Sequence, residues 1–226
     1  MERKNSTYYY LSALEAYDQA DSDAGRDKAA ALRYYIADLY LKEGNEDGAL
    51  RYFRELGDYA DAPARIQGIF YQRGERAIAE GNLRSAEADF RQAGDYLDAP
   101  ERLAQVYYEQ AETMLSQQKE EDAIIAFQKA GEYRDAKERF ETLFAARTEN
   151  LIAAGDFVNA ENMLLLLGDS EGYLALRYQH AVSLYEAGDL AGAAEFFAGI
   201  NGYAPEEWPH RCGIPGGDRR IRDRCF

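Results

Sequence analysis

A 37-residue pattern repeats along this chain of 226 residues and constrains its fold more than any other feature. Four segments each place an alanine, then a phenylalanine or leucine four residues later, then a glycine after four more. The glycines Gly57, Gly94, Gly131 and Gly168 are separated by three equal intervals of 37 residues. A fifth, weaker copy runs from Ala193 to Tyr203. Because one such unit cannot bury its own apolar face, equal units are expected to pack against their neighbours.

Each unit is predicted to form two helices joined by a turn. In the first helix, apolar and small residues recur at helical spacing, as in Phe70, Gly74, Ala77 and Ile78. This helix should end at a glycine followed by Asn or Asp, although Gln118 takes the glycine's place in the third copy. The second helix should end at the glycine of a Gly-Asp-Tyr phrase, in a left-handed C-cap.

The Gly-Asp-Tyr-x-Asp-Ala phrase is predicted to restart the chain for the next unit. Its second aspartate (Asp61, Asp98 and Asp135) stands where an N-cap carboxylate would accept free amide hydrogens. Its tyrosine is expected to fill the joint between units. The structural signature of the repeat therefore comprises Ala49, Phe53, Gly57, Tyr59, Asp61, Ala86, Phe90, Gly94, Tyr96, Asp98, Ala123, Phe127, Gly131, Tyr133, Asp135, Ala160 and Gly168.

These patterns predict an all-α fold, an α-solenoid of about five helix-turn-helix repeats with an extra N-terminal helix. It would cover residues 5–203, with repeats at about 26–60, 61–97, 98–134, 135–170 and 171–203. Stacked helix pairs of this kind form a curved array with a long concave surface.

The first and last copies share a further order of residues: a small residue, a Gly-Asp or Gly-Asn turn, an alanine and an aromatic residue. In the first copy these are Ala37, Gly44-Asn45, Ala49 and Phe53, and in the last copy they are Ala181, Gly188-Asp189, Ala193 and Phe197. In these residues the chain resembles the tetratricopeptide repeat (TPR) family. The usual TPR period is 34 residues, so the chain looks like a divergent, bacterial form with a longer "LGDYxDA" connection. The resemblance implies a TPR-like α-solenoid and a non-enzymatic protein-binding scaffold.

The resemblance also implies that the first helices line the concave surface. A column is the set of residues at the same distance before each turn glycine. The column ten residues before it is Tyr34, Tyr71, Tyr108, Ala145 and Tyr178, and the column six residues before it is Asp38, Glu75, Glu112, Glu149 and Val182. Tyrosines beside carboxylates suit an extended, basic peptide or protein partner. The candidate partner-binding residues are therefore Tyr34, Asp38, Tyr71, Glu75, Tyr108, Glu112, Glu149 and Tyr178. Under the alternative interpretation, the tyrosines pack between helices and the acids solvate a helix face.

The charge balance of the chain bears on its partners. It has 26 basic and 41 acidic side chains, a formal net charge of −15. Nucleic acid is not expected as a partner, because phosphate binding needs a basic face. No run of about 18 apolar residues occurs, so no membrane insertion is expected. The first seven residues do not resemble a secretory signal, and a cytoplasmic location is the expectation.

The sequence offers little for catalysis. His180 has no nucleophile beside it in a short motif, and a packing or exposed role is expected for it. No catalytic residue, cofactor or metal is predicted. Two alternatives to a binding scaffold remain: a structural or spacer segment of a larger multidomain protein, and, more distantly, a hydrolase that uses paired carboxylates.

The composition changes in residues 204–226. This segment contains the only tryptophan, Trp208, and both cysteines, Cys212 and Cys225. Together with His210, the cysteines are too few for a convincing metal site. The segment is expected to be disordered.

Overall fold

The computed structural model describes residues 2–20 and 22–200, with side chains from residue 9 onward. This part of the chain contains eleven helices and no strand, which confirms the all-α prediction. The helices are α1 (Glu2–Gln19), α2 (Asp23–Lys42), α3 (Glu46–Leu56), α4 (Ala62–Ala79), α5 (Leu83–Ala93), α6 (Ala99–Ser116), α7 (Glu120–Ala130), α8 (Ala136–Ala153), α9 (Phe157–Leu166), α10 (Ser170–Glu186) and α11 (Leu190–Ala198).

The chain divides into two compact units, one up to Lys137 and one from Glu138. In the first unit, long helices alternate with short ones, and each long helix packs on the short helix that follows it: α2 on α3, α4 on α5 and α6 on α7. Successive pairs are joined by contacts of α3 with α4 and of α5 with α6, and α1 packs on α2. In the second unit, α10 packs on both α9 and α11.

The core of the first unit is built from the repeated residues. Phe53, Phe90 and Phe127 are almost completely buried, and so are the alanines four residues before them. An alanine at the helix interface lets two helices approach closely, and the phenylalanine one turn later fills the space between the two helices of its pair.

The turn from a long to a short helix depends on a residue with positive φ. Gly44 and Gly81 have φ of 75° and 72°, and Gln118 adopts φ of 61° at the same position. The side chains of Asn45 and Asn82 then cap the short helices, each accepting a hydrogen bond from a backbone N–H three residues later.

The connection from a short to a long helix differs from the prediction in its backbone. Gly57, Gly94 and Gly131 have positive φ of 56° to 60°, but their ψ lies between −122° and −125°, outside the left-handed helical region. This combination mirrors the extended region and is open only to glycine. A second positive φ, about 50°, follows three residues later at Ala60, Leu97 and Arg134.

The predicted capping role of the aspartates was wrong for Asp61 and Asp98. Both stand at the N-cap of a long helix, but neither side chain makes a capping hydrogen bond. Their backbone is not extended, with φ near −100° and ψ near 20°. Because a capping carboxylate normally needs an extended backbone to reach the amides of the first turn, these side chains are directed elsewhere.

Gly168 continues the 37-residue spacing but belongs to a different turn. It has φ of 75° after a right-handed C-cap residue, and the Asp169 carboxylate accepts a hydrogen bond from the Gly172 amide at 2.9 Å. The Gly188-Asp189 turn has the same form. The reason is local, since Ser170 and Gly172 replace the tyrosine and second aspartate of the repeated phrase.

The predicted disordered segment, residues 204–226, lies outside the described residues, as does the end of the fifth predicted repeat. None of the described helices combines the length and apolar character needed to cross a membrane.

Candidate partner-binding face

The tyrosine column of the first unit is part of the packing between helix pairs. The hydroxyls of Tyr34, Tyr71 and Tyr108 donate hydrogen bonds to Asp61, Asp98 and Asp135, at 2.5, 2.5 and 2.7 Å. Each aspartate lies 27 residues after its tyrosine and directly before the next long helix. Asp61 and Asp98, which were expected to cap helices, therefore accept tyrosine hydroxyls instead.

The rings of these tyrosines contact the buried phenylalanines of their own helix pairs. Ring centroids are 5.4 Å apart for Tyr34 and Phe53 and 5.8 Å for Tyr71 and Phe90, with the rings edge to face. Edge-to-face pairs of this kind add favourable energy beyond their buried area. Each tyrosine thus joins the phenylalanine of one helix pair to the start of the next.

The hydrogen bonds to carboxylates change the acidity of the tyrosines. The bond to Asp98, followed by burial and the negative charge of that carboxylate, raises the pKa of Tyr71 to about 12. The bond to Asp61 is likewise the main reason that the pKa of Tyr34 is raised. Both hydroxyls therefore stay protonated donors at neutral pH.

The carboxylate column is also paired. Asp38 on α2 forms an ion pair with Arg65 on α4, and Glu75 on α4 binds Arg102 on α6 through two hydrogen bonds of 2.5 and 2.7 Å. Each arginine again lies 27 residues after its acid. Asp38 and Glu75 remain 29% and 36% exposed, so their carboxylates still reach solvent.

We call these contacts the ladder: Tyr34–Asp61, Tyr71–Asp98, Tyr108–Asp135, Asp38–Arg65 and Glu75–Arg102. Glu112 occupies the corresponding position on α6. The arginines were missed in the sequence, although Arg65 and Arg102 are themselves 37 residues apart.

In the second unit the residues that build the ladder are replaced. Ala145 and Gly172 stand where the series predicts a tyrosine and an aspartate. Glu149 is exposed on α8, and a buried Leu176 stands 27 residues after it in place of an arginine. Tyr178 packs its ring against Phe197, with centroids 5.8 Å apart.

His180 lies in the interior of the second unit. Its ring stacks on Phe157 and packs against Phe196, both with centroids 4.2 Å away. Its Nδ1 atom is 3.5 Å from the Glu161 carboxylate, which also has Arg177 at 3.9 Å. The imidazole is packed between two aromatic rings beside a buried carboxylate, which is the first of the two roles expected for it, packing or exposed.

An ion-pair cluster outside the two columns joins α3 to α4. Glu46 accepts hydrogen bonds from Arg73 and Arg76 at 2.7 to 2.8 Å, and Asp47 accepts one from Arg73 at 2.6 Å. Burial alone would raise the pKa of Glu46, but the two arginines lower it below its ordinary value.

In the part of the chain that the structure describes, no three histidine, cysteine or acidic side chains gather where they could hold a metal ion. In the first unit, the candidate site is a face of the long helices α2, α4 and α6, on which Asp38 and Glu75 are partly exposed and Tyr108 is buried. A scan against models of known protein families finds no match, and comparison with curated proteins finds no similar sequence.

Proposed function

We propose that the chain is a TPR-like α-solenoid of about five repeats that serves as a non-enzymatic protein-interaction scaffold. Its ligand would be a basic peptide or protein segment bound on the concave face that carries the tyrosine and carboxylate columns. The proposal includes that the chain comes from a bacterium and is located in the cytoplasm.

The ladder is the observation that carries the proposal. In the first unit, each of these hydrogen bonds joins one long helix to the start of the next, and the two bonded residues are always 27 residues apart in the sequence. Because the spacing of these contacts is constant, the column carboxylates Asp38, Glu75 and Glu112 recur once per helix pair. An extended peptide could contact such a row at regular intervals. Asp38 and Glu75 are still partly exposed, and the excess of acidic residues over the whole chain favours a basic partner.

Asp38 and Glu75 each already have an arginine partner, which limits what either carboxylate can contribute to binding. A bound basic side chain would share the carboxylate with that arginine, so each position should contribute modestly, within the range of an exposed ion pair. Affinity would come from several positions acting together, and it should fall as salt rises.

The test is binding of fluorescently labelled basic and acidic peptides of equal length, followed by anisotropy over a range of salt concentrations. We expect the basic peptide to bind and the acidic peptide not to bind. Glu75→Gln should lower the affinity for the basic peptide by about two- to fivefold, which corresponds to the loss of one exposed ion pair.

Glu46→Gln is the matched control. Glu46 also pairs with arginines of the neighbouring helix, but it lies on the short helix α3, outside the carboxylate column. Its substitution should leave peptide affinity unchanged. Preference for the acidic peptide, or equal loss of affinity in the two variants, would contradict the proposed face.

A structural or spacer role in a larger protein is the second candidate. One observation favours it: the tyrosine hydroxyls and acids of the columns serve contacts between helix pairs. A pull-down with the isolated chain separates the two functions, because a spacer would retain no stoichiometric partner.

A further inference from the structure

Buried polar atoms without a hydrogen-bond partner are concentrated in the second unit. Over the described residues, these atoms are Oγ1 of Thr148, Oε1 of Glu161, Nε of Arg177 and Nδ1 of His180, and all four belong to the second unit. Three of them lie where α9 packs on α10. A buried polar group without a partner has lost its hydrogen bonds to water and gained none, so it favours separation of the helices that bury it.

The first unit contains the equivalent contact with its hydrogen bonds made. Glu87 on α5 lies 74 residues before Glu161, at the same position of the repeat. Its carboxylate accepts a hydrogen bond from Nε2 of Gln110 on α6 at 3.0 Å and one from the Tyr107 hydroxyl at 3.3 Å. Arg91 adds an ion pair at 3.2 Å. Three side chains therefore compensate the partly buried charge of Glu87.

The contact in the second unit is more buried and has longer distances. His180 takes the place of Gln110, because both lie eight residues before the turn that follows their helix. Its Nδ1 atom is 3.5 Å from Oε1 of Glu161, and Nη1 of Arg177 is 3.9 Å from Oε2. Both distances exceed the roughly 2.7–3.2 Å of an ordinary N–H···O hydrogen bond. Since Glu161 is only 9% exposed, solvent does not replace the missing partner.

The imidazole of His180 is held at this distance by the rings on either side of it. It stacks on Phe157 of α9 and packs against Phe196 of α11, with both centroids 4.2 Å away. A movement of the imidazole toward Glu161 would weaken both ring contacts. The missing hydrogen bond is thus a consequence of how α9, α10 and α11 pack.

The second unit also lacks the residues that reinforce the first. Ala145 and Leu176 stand where the ladder would need a tyrosine and an arginine, so they cannot make its contacts between successive long helices. The packing of α9 on α10 therefore depends more on the contact around Glu161.

We propose that α9 separates from α10 in a local opening of the second unit while the first unit stays folded. On opening, the side chains of Glu161 and His180 form hydrogen bonds with water, which offsets part of the lost apolar burial. The residues involved lie outside the carboxylate column of the first unit, so the opening is independent of the proposed peptide binding.

The test is hydrogen–deuterium exchange of the full chain at a single pH, followed by mass spectrometry of peptides from each helix. Backbone amides of α9 and α10 should exchange at least about tenfold faster than those of α5 and α6, because one uncompensated buried group can change an opening equilibrium by that factor.

The same substitution at the two equivalent glutamates should have opposite effects. Glu161→Leu introduces the residue that α3 carries at this position, the buried Leu50. It removes the uncompensated carboxylate, while Arg177 keeps its hydrogen bond to Tyr173 at 2.7 Å. Exchange of α9 and α10 should slow by about three- to tenfold. Glu87→Leu removes a satisfied carboxylate, so exchange of α5 and α6 should accelerate by a similar factor.

Glu195→Leu is the control, since Glu195 is an exposed glutamate of the second unit. It should leave the exchange of α9 and α10 unchanged, and circular dichroism should show equal helix content in all variants. The proposal is overturned if α9 and α10 exchange as slowly as α5 and α6 in the unmodified chain. It is also overturned if Glu161→Leu and Glu87→Leu change exchange in the same direction, or if Glu161→Leu has no more effect than Glu195→Leu.

Discussion

At the scale of single residues, Gln118 shows how much the repeat depends on glycine. It occupies the turn position that Gly44 and Gly81 hold in the preceding copies, with φ of 61°. A side chain with a Cβ atom is disfavoured in this conformation by about 1–2 kcal/mol. The third copy therefore carries a strained turn that the first two do not have.

Gln118→Gly is expected to stabilise the protein by about 0.5–1 kcal/mol, because relief of strain exceeds the added flexibility of the unfolded chain. The reciprocal variant Gly81→Gln should destabilise it by about 1–2 kcal/mol. An added Cβ at Gly81 meets nothing within 4 Å, so this cost would come from the backbone alone. Urea unfolding measures both effects, and a neutral Gly81→Gln would contradict the argument.

The tyrosine hydroxyls of the ladder should make stability depend on alkaline pH. The pKa of Tyr71 is raised to about 12 in the folded chain, against an ordinary value near 10. Its contribution is therefore fully present below pH 10 and is lost as pH rises from about 10 to about 12. Tyr71→Phe removes this contribution.

The difference in unfolding midpoint between the unmodified chain and Tyr71→Phe should shrink as pH is raised from 8 through 11. Tyr96→Phe is the control, since the Tyr96 ring packs against Tyr71 with centroids 5.9 Å apart, but its hydroxyl is outside the ladder. A difference that stays constant with pH would show that the Tyr71 hydroxyl does not act through Asp98.

At the scale of helices, the fully buried alanines set the distance between the members of each pair. Ala86 on α5 has no exposed surface, whereas Ala88 on the same helix is exposed. Ala86→Leu should destabilise the protein by about 1–3 kcal/mol through overpacking. Ala88→Leu serves as the control and should change stability by less than about 0.5 kcal/mol. Equal effects of the two variants on thermal unfolding would mean that Ala86 is not at a close helix contact.

The helices and their turns were readable from the sequence because they depend on local spacing. Apolar residues one turn apart, with glycine at each end, predict a helix pair without knowledge of its neighbours. The roles of Asp61 and Asp98 were not readable in this way. A local rule assigned them to helix capping, whereas their partners Tyr34 and Tyr71 lie 27 residues earlier and approach only when the pairs stack.

At Gly168 the error was of the opposite kind, because the 37-residue period of the sequence predicted the wrong turn conformation. Its distance of 37 residues from Gly131 suggested the same turn, but the conformation follows the residues after it. With Ser170 and Gly172 in place of tyrosine and aspartate, three residues connect α9 to α10, whereas five connect α3 to α4. The candidate face was predicted by position, but its pairing with Arg65 and Arg102 depended on the stacked structure.

At the scale of the whole molecule, the first unit contains three similar helix pairs and should tolerate the loss of one of them. Deletion of residues 62–98 removes 37 residues and joins Asp61 to Ala99, which restores the Asp-Ala-Pro sequence of the connection. Tyr34 would keep its partner Asp61, and Arg102 would take the place of Arg65 opposite Asp38.

The shortened chain is expected to stay helical and to melt cooperatively at a lower temperature, because stability in such arrays is approximately a sum over repeats and their interfaces. A deletion of 30 residues, 66–95, is the control. It breaks the period inside α4 and should abolish the cooperative transition measured by circular dichroism. Loss of cooperative melting in the 37-residue deletion would show that each pair depends on more than its immediate neighbours, and the repeat description would then fail.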